Sequence, residues 1–572
     1  MSDRLSPFQA ALAYWSRLDA PLDDIARALR CDTETVAKAL DTGLISLNDG
    51  LAGWPSSSPF SSRTVAHLIR DGLNRPASTP FLHVSGLGSL NLGEVRAAIA
   101  RVAAGLRQAG LGPGDRVAVD ATQRLESYLV CAAALLIGVV VVRLSLAGGS
   151  DGVRGLLDTA PARLTFSEFG DTAGLDALPA AGETILLTTD DADDTGPRGF
   201  ARWLEGCPDT DVLPAVAVGP RDPALIGFTS GSTGGPKLVE TSHMAVFRSS
   251  EAMQAVFGFD AQDVFCTSTD FSALSALRSM LTMPLLAGGQ VVLPTALART
   301  QPLALGLECA QFGVTRLTAI PNVLRGMAAA RERLPALPRL RMMLSGSGVL
   351  DRATHDLVAQ GFGVRVIDYF GAREFGTVVY ARGDGQGTVS HGGGQICNAL
   401  IRIVDDLGRV VPNGDIGEIM LHTDTITTGP LAGSHPGWEG WHQTGDLGRI
   451  MPSGDLEVTG RRRDVIKAGD GSLVFPVEIE GLLNALPGVR ESCVLGWPGQ
   501  SGSDQIVAAV VLDRPEDDGF AVRARAHVLQ AAGRFRVPTL VLTVPDFDRV
   551  SNGKIDKAAL RGRLKFRVGD LL

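Results

Sequence analysis

The sequence predicts an α/β protein built on largely parallel sheets and closed by a small α+β domain at its C-terminal end. Three observations carry that prediction. Strand-like apolar runs alternate with helical stripes from about residue 62 onward. The 572 residues include 68 Gly and 31 Pro, the punctuation of many connections. After about residue 460 the elements become shorter and mixed in kind. A chain of this length holds several domains and buries a large core.

Residues 1–60 stand apart as a helical N-terminal extension, ended by the linker-like Trp54-Pro55-Ser56-Ser57-Ser58-Pro59. Within them, 22–29 and 32–40 have helix-turn-helix spacing with Asp32 as N-cap. Asp32 and Glu34 would open the recognition helix and repel phosphates, and the segment carries five basic against eight acidic residues, so a packing appendage is the better reading. From there to about 460 runs the large domain. Val95, Ile99, Val102 and Leu106 share one helical face, Gly110 caps that helix, and Asp115–Val119 follows as a strand. The run Tyr128–Val142 is too short to span a bilayer and reads as the end of a buried helix, a stop at Gly138 and the strand Val139–Val142. Asp190–Gly199 reads as a solvated loop. In the small domain, Glu478–Leu486 and Ala521–Ala532 read as helices, Ser492–Leu495 and Ile506–Leu512 as strands.

Composition excludes several classes of function. The 53 Lys and Arg against 62 Asp and Glu give a net charge of −9 without a long basic block, which argues against nucleic acid as a partner. Seven scattered cysteines form no C-x-x-C pair, as expected of a reducing, cytoplasmic setting rather than a disulfide framework or zinc knuckle. Met1-Ser2-Asp3-Arg4 leads into sequence without a secretory apolar segment, and neither a membrane anchor nor a membrane partner is expected.

The strongest local signal is Thr229-Ser230-Gly231-Ser232-Thr233-Gly234-Gly235-Pro236-Lys237, directly after a strand-like run. Dense hydroxyls and glycine amides make an anion cradle, and Lys237 adds charge. The spacing does not fit a Walker A loop, because Pro236 precedes the lysine and Leu238 follows it.

These residues resemble the signature of the adenylate-forming superfamily, which contains acyl-CoA synthetases, the adenylation domains of nonribosomal peptide synthetases, and luciferases. Further family-like motifs follow in order: Tyr369-Phe370-Gly371-Ala372-Arg373-Glu374, Trp441 to Gly448 with Asp446, Gly460-Arg461-Arg462-Arg463-Asp464, Phe475 to Glu480, and Ser551-Asn552-Gly553-Lys554-Ile555. The resemblance covers about 62–565. It implies parallel-sheet subdomains and a small β-barrel-like subdomain within 61–460, followed by a mobile domain over 461–572.

The resemblance also implies roles. Lys554 resembles the lysine that bridges the substrate carboxylate and the α-phosphate, where cations and fixed dipoles bring two anions together. Asp446 resembles the carboxylate that holds both ribose hydroxyls, with Arg461 near the ribose. Glu374 resembles the Mg²⁺ ligand, a hard oxygen donor for a hard cation. Thr229 and the following loop would cradle phosphates, Gly371 would stand with them, and Tyr369 and Phe370 would flank the adenine or the acyl group. His243 matches a family histidine near the pocket, or else a polar residue starting a helix. Arg463 stands at the family's hinge between domains. Arg373 departs from the family's Thr; it grips a phosphate, reaches a second anionic group on the substrate, or points outward.

For the acid, Phe271, Ser275 and the small-residue turn Gly346-Ser347-Gly348 are the expected pocket. Between Phe271 and Gly289, where amino-acid-activating relatives place an Asp, stand Ser272 and Ser275, which disfavours a plain α-amino acid. The expected reaction joins ATP and a carboxylic acid into an acyl-AMP and pyrophosphate, then passes the acyl group to coenzyme A or to the phosphopantetheine of a separate carrier protein. An amine or other acceptor, or a non-catalytic nucleotide binder, are the alternatives. The segment Lys467–Pro476 is one residue longer than the family pattern, which touches the thiol tunnel.

Overall fold

The computed structural model describes 52–54 and most of 63–569; residues 1–51, 55–62, 121, 145–148, 169–181, 188–198, 230–236, 272, 382–387, 391, 397–398, 424, 426–440, 469–471, 500–503, 515–518, 550–553 and 570–572 lie outside the described residues. The helix-turn-helix spacing at 22–40 and nearly all of the Asp190–Gly199 loop fall among the latter. The extension is not helical throughout: Ala52–Trp54 is a strand, antiparallel to Ala399–Ile401.

Local signals place the elements within a few residues of expectation. The helix carrying Val95 to Leu106 runs Leu92–Gln108, opened by a reciprocal capping box between Asn91 and Glu94. Gly110 follows it at φ +79°, a conformation that favours glycine. The helix Leu125–Ile137 is buried on all sides from Ser127 on and stops at the left-handed Gly138, and Val140–Leu144 follows as a buried strand. The small-domain helices are Pro476–Asn484 and Phe520–Ala532, and its main strands Val489–Pro498 and Asp504–Leu512.

Two sheets frame the large domain. A six-stranded sheet runs in the order Glu183–Leu186, Leu164–Ser167, Arg116–Asp120, Val140–Leu144, Pro223–Thr229, Lys237–Ser242, parallel until the last pair. A 14-stranded sheet changes character part-way. The strands Val264–Thr267, Arg316–Ala319 and Met342–Ser345 pair in parallel, while those from Gly376 to Arg461 pair antiparallel. Ala52–Trp54 packs beside Gly394–Ile396 as well as pairing with Ala399–Ile401, so the antiparallel part comes back on itself in the manner of a barrel.

One strand, Arg365–Ala372, belongs to both halves. It is parallel to Met342–Ser345 through Asp368 and antiparallel to Gly376–Ala381 from Tyr369 onward, with a bulge between Phe370 and Gly371. Bulges of this kind occur next to active sites, where they re-aim side chains. Gly371 is required by that bulge, since a Cβ there would lie 2.3 Å from the Gly376 carbonyl oxygen.

The C-terminal domain is a three-stranded sheet, Val489–Pro498, Asp504–Leu512 and Leu540–Thr543, with its helices packed on it. It is tied to the large domain by Arg325, whose guanidinium donates to the carbonyls of Asn484 at 2.7 Å and Val489 at 3.0 Å. The Asn484 amide donates in turn to Asp351 at 3.3 Å. Among the described residues no helix is long and apolar enough to cross a membrane.

Candidate active site

The phosphate loop hangs between two strands of the six-stranded sheet, Pro223–Thr229 and Lys237–Ser242, whose register sets Thr229 directly opposite Lys237. Ser230, Gly231, Ser232, Thr233 and Gly234 lie outside the described residues. Arg143 lies on the neighbouring parallel strand, beside Gly227. Gly227 admits it, because a Cβ at 227 would lie 2.6 Å from Arg143 Nη2. Arg143 is buried and donates to the Phe271 carbonyl at 3.3 Å. Burial, and then the neighbouring Arg373, push its pKa down to about 9. The sequence carries one signal for Arg143, a charge at the carboxyl end of a buried strand.

Arg373 points inward. Its guanidinium is half-buried and donates to the Phe228 carbonyl, one residue before the phosphate loop strand ends. Burial lowers its pKa, and Asp270 and Glu374 oppose that shift. The outward orientation is therefore excluded. Asp270, one residue ahead of the window in which a carboxylate was sought, is engaged by Arg373, Arg143 and Arg299.

Asp446 and Arg461 face each other across adjacent antiparallel strands, His442–Ile450 and Leu456–Arg461. Arg461 Nε lies 2.8 Å from Asp446 Oδ1. The left-handed Gly445, at φ +72°, turns the chain so that the Asp446 amide donates to Thr444 Oγ1 at 3.0 Å. Asp446 is only 4% exposed, and its Oδ2 has no hydrogen-bond partner among the described residues. Burial raises its carboxyl from the ordinary 3.8 to about 6, against the opposing pull of Arg461 and Lys554. A buried acceptor with one oxygen committed and one vacant fits a donor hydroxyl of a ligand.

Lys554 comes from the small domain to the same place. Asp446, Arg461, Arg373 and Glu374 all act on its charge, while burial depresses its pKa and Arg461 depresses it further. The side chain keeps exposed surface within these protein surroundings, as expected for a cation at the edge of a cleft. Glu374 also acts on His442, a buried imidazole whose pKa burial lowers and whose Nδ1 has no partner among the described residues. The His442 ring lies 5.7 Å from that of Phe375. The motif containing His442 was legible, yet nothing in its spacing marked this residue for the site.

The pocket residues fall into two groups. Tyr369 shares hydrogen bonds with Ser275 and Arg278, and its ring abuts Gly346, where a Cβ would lie 2.1 Å from Tyr369 Cζ. Ser347 is the one described non-glycine residue in the left-handed region, at φ +64°, a strain that clusters at ligand sites. Gly348 packs beside Pro321. Phe271, by contrast, is core: it is buried, with its ring 6.4 Å from Tyr128. Phe370 is half-buried against Phe375.

His243 is not brought to the cluster. It is the first residue of the helix His243–Phe257, fully buried, with Asp222 and His67 as its charged neighbours. Burial pushes its pKa down to about 4, so it is a neutral core histidine, and the catalytic expectation is corrected. Arg463 lies exposed in the single turn Arg462–Asp464, between the last strand of the large domain and the first of the small one. Asp464 of that turn pairs with Lys557 at 2.8 Å.

A model of the AMP-binding enzymes matches residues 70–429, and one of the AMP-binding enzyme C-terminal domain matches residues 478–554. The chain belongs to the AMP-binding enzyme family. Among members of this family it is 26% identical to a sulfoacetate–CoA ligase of Cupriavidus necator, over 79% of this chain and 88% of that enzyme. It is 28% identical to the pyochelin synthase PchD of Pseudomonas aeruginosa, over 81% of this chain and 86% of that protein. Its fold is similar to that of the anthranilate CoA ligase AuaEII, with a TM-score of 0.78 at 21% identity, covering 89% and 98% of the two chains. AMP-binding enzymes thus share with this chain both the large sheet-built domain and the small domain that delivers Lys554.

Proposed function

We propose that this AMP-binding enzyme is an ATP-dependent carboxylic acid ligase that forms an acyl-AMP and pyrophosphate and then passes the acyl group to a thiol, either coenzyme A or a carrier-protein phosphopantetheine. The observation that carries this reading is the meeting of Lys554, Asp446, Arg461, Arg373 and Glu374, from separate segments of two domains, beside the phosphate loop strand. Joining a carboxylate to a phosphate needs cations fixed in advance, since neither anion approaches the other unaided. Lys554 supplies the mobile cation, Asp446 the ribose acceptor, and Thr229 to Lys237 the phosphate cradle. Among the described residues no three metal-binding side chains gather. Glu374 offers a hard carboxylate ligand, which suits Mg²⁺ held mainly by phosphate oxygens and water. Bound there, Mg²⁺ would neutralise the phosphates. The sulfoacetate–CoA ligase and PchD similarities support acid activation. Pyrophosphate release across a panel of carboxylic acids, with and without coenzyme A, tests the reading; ATP-dependent release with no acid sustaining it would overturn it.

Arg373 is a phosphate-side residue in this reading, because it is anchored at the strand entering the loop. Arg373→Thr is expected to raise KM for ATP or lower turnover by about 10- to 100-fold for every acid alike, the range for a charge-assisted bond. A change in the ranking of acids instead would move Arg373 to the acyl side.

Arg463 tests the two-step cycle. Its backbone lies in the connecting turn, and proline would fix φ where a rotating small domain must change it. Arg463→Pro is expected to keep adenylation near wild type and to block thiol transfer. Equal loss of both half-reactions, or of neither, argues against a hinge there.

A further inference from the structure

Behind Tyr369 lies a cation for which the adenylation chemistry has no use. Arg278 is 2% exposed. Its Nη1 donates to Ser249 Oγ and to Thr377 Oγ1, each at 2.7 Å, and its Cζ lies 5.8 Å from the Tyr369 ring centroid. Its Nε has no partner, and no Asp or Glu pairs with it among the described residues. Hydroxyls and a ring face orient a guanidinium without neutralising it, and a buried charge without a counter-charge is costly unless a ligand supplies one. Arg143 and Arg373 differ, because both feel Asp270.

The backbone at this point is also unusual. Arg278 opens a π-helical turn, Arg278–Thr282, inserted between the α-helical turns Leu274–Leu277 and Met283–Ala287. Such insertions re-aim side chains and recur at functional sites. Here the turn brings Arg278 to the Tyr369 hydroxyl, which it shares with Ser275, while the tip of the Tyr369 ring rests against Gly346. One phenol ring therefore separates Arg278 from the small-residue turn at Gly346 to Gly348.

We propose that Arg278 recognises a second anionic group on the acid, so that the substrate is a short acid bearing a carboxylate or sulfonate besides the carboxylate that is activated. This rests on the acid-ligase reading and on the Gly346 turn as the seat of the reacting carboxylate. Ser249 and Thr377 fix the guanidinium from one side and Ser275 shares the Tyr369 hydroxyl with it, so that Tyr369 sets the distance between the two anions. The guanidinium's planar fork suits either oxyanion.

The test compares acids that differ only in the distal group. Pyrophosphate release by the full chain is measured with malonate and propionate, succinate and butyrate, and sulfoacetate and acetate, for the wild type, Arg278→Lys and Arg278→Met. The wild type is expected to favour at least one doubly anionic acid over its partner by about 100-fold in kcat/KM, as a site built around a polar group discriminates against its absence. Arg278→Met should bring that ratio close to one with KM for ATP moved less than about 3-fold, and Arg278→Lys should restore part of it. Malonate and sulfoacetate distinguish a carboxylate from a sulfonate reader.

A wild-type preference for the singly charged acids overturns the proposal even if no variant folds. So does an equal fall for both members of a pair in Arg278→Met, the result expected of a merely structural arginine. Should no acid release pyrophosphate, the ligase reading fails; calorimetric binding of succinate or sulfoacetate, lost in Arg278→Met, would then sustain the anion site alone, and its absence overturns both.

Discussion

Replacing Lys554 by alanine is expected to reduce acid-dependent pyrophosphate exchange by about 100-fold or more, while the protein folds and binds ATP. The magnitude is that of removing one preorganised charge from a developing transition state. The structural basis is specific. Lys554 lies beside Asp446, Arg461, Arg373 and Glu374 of the large domain, although it belongs to the small one. The protein crowding its ammonium, and after it Arg461 and Arg373, hold its pKa below the usual lysine range although the side chain keeps exposed surface, so its charge is costly until anions arrive. A substrate carboxylate and an α-phosphate would relieve that cost together, which makes the lysine more valuable in the reaction than in the free protein. Folding should not suffer, because no core packing is lost with an exposed side chain. Pyrophosphate exchange at saturating ATP, together with a thermal unfolding curve, decides the matter: unchanged exchange removes Lys554 from catalysis.

Asp446→Asn is expected to do opposite things to stability and to function. Burial raises the Asp446 carboxyl from the ordinary 3.8 to about 6 in the folded protein. A folded pKa above the unfolded one favours the protonated form, so this group's stabilising contribution is complete below pH ~4 and is lost as pH rises through ~6. At pH 7.5 the ionised side chain therefore costs about 2 to 3 kcal/mol. Asparagine removes that charge, and Arg461, which is 42% exposed, is resolvated. The ligand-free variant should melt a few degrees higher at pH 7.5, with the difference vanishing near pH 4. Its KM for ATP should rise about 10- to 100-fold, because the vacant Oδ2 no longer offers an ionised acceptor. In the wild type, kcat/KM for ATP should fall as pH drops through about 6. A variant that is both less stable and unaffected in KM would remove Asp446 from the ribose site.

Much of the fold was legible because the signals are local. Gly138 and Gly110 mark helix ends by conformations that other residues avoid. The parallel sheet followed from the alternation of elements. The strand Arg365–Ala372 did not, since a single run of residues cannot announce that its first half pairs in parallel and its second half antiparallel. Asp446, Arg461, Glu374 and Lys554 act on one another's charge in the structure; only the family resemblance, and no local pattern, had put them in one site. His243 does not join them: position after the phosphate loop marks a helix start equally well, and only three-dimensional packing reveals that this start turns into the core. Arg143 and Arg278 were missed for a related reason. Each is a charge inside an apolar stretch, and sequence cannot tell whether such a charge escapes to solvent or is enclosed.

The tie between the domains has an evolutionary consequence. Arg325 grips the small domain through the carbonyls of Asn484 and Val489, which every residue type provides. Substitutions on the small domain can therefore remodel its acceptor-facing surface without deleting this docking contact. Of the two ties described, only the Asn484 amide on Asp351 depends on a small-domain side chain, so most of that domain's surface is free to diverge with the thiol it must meet.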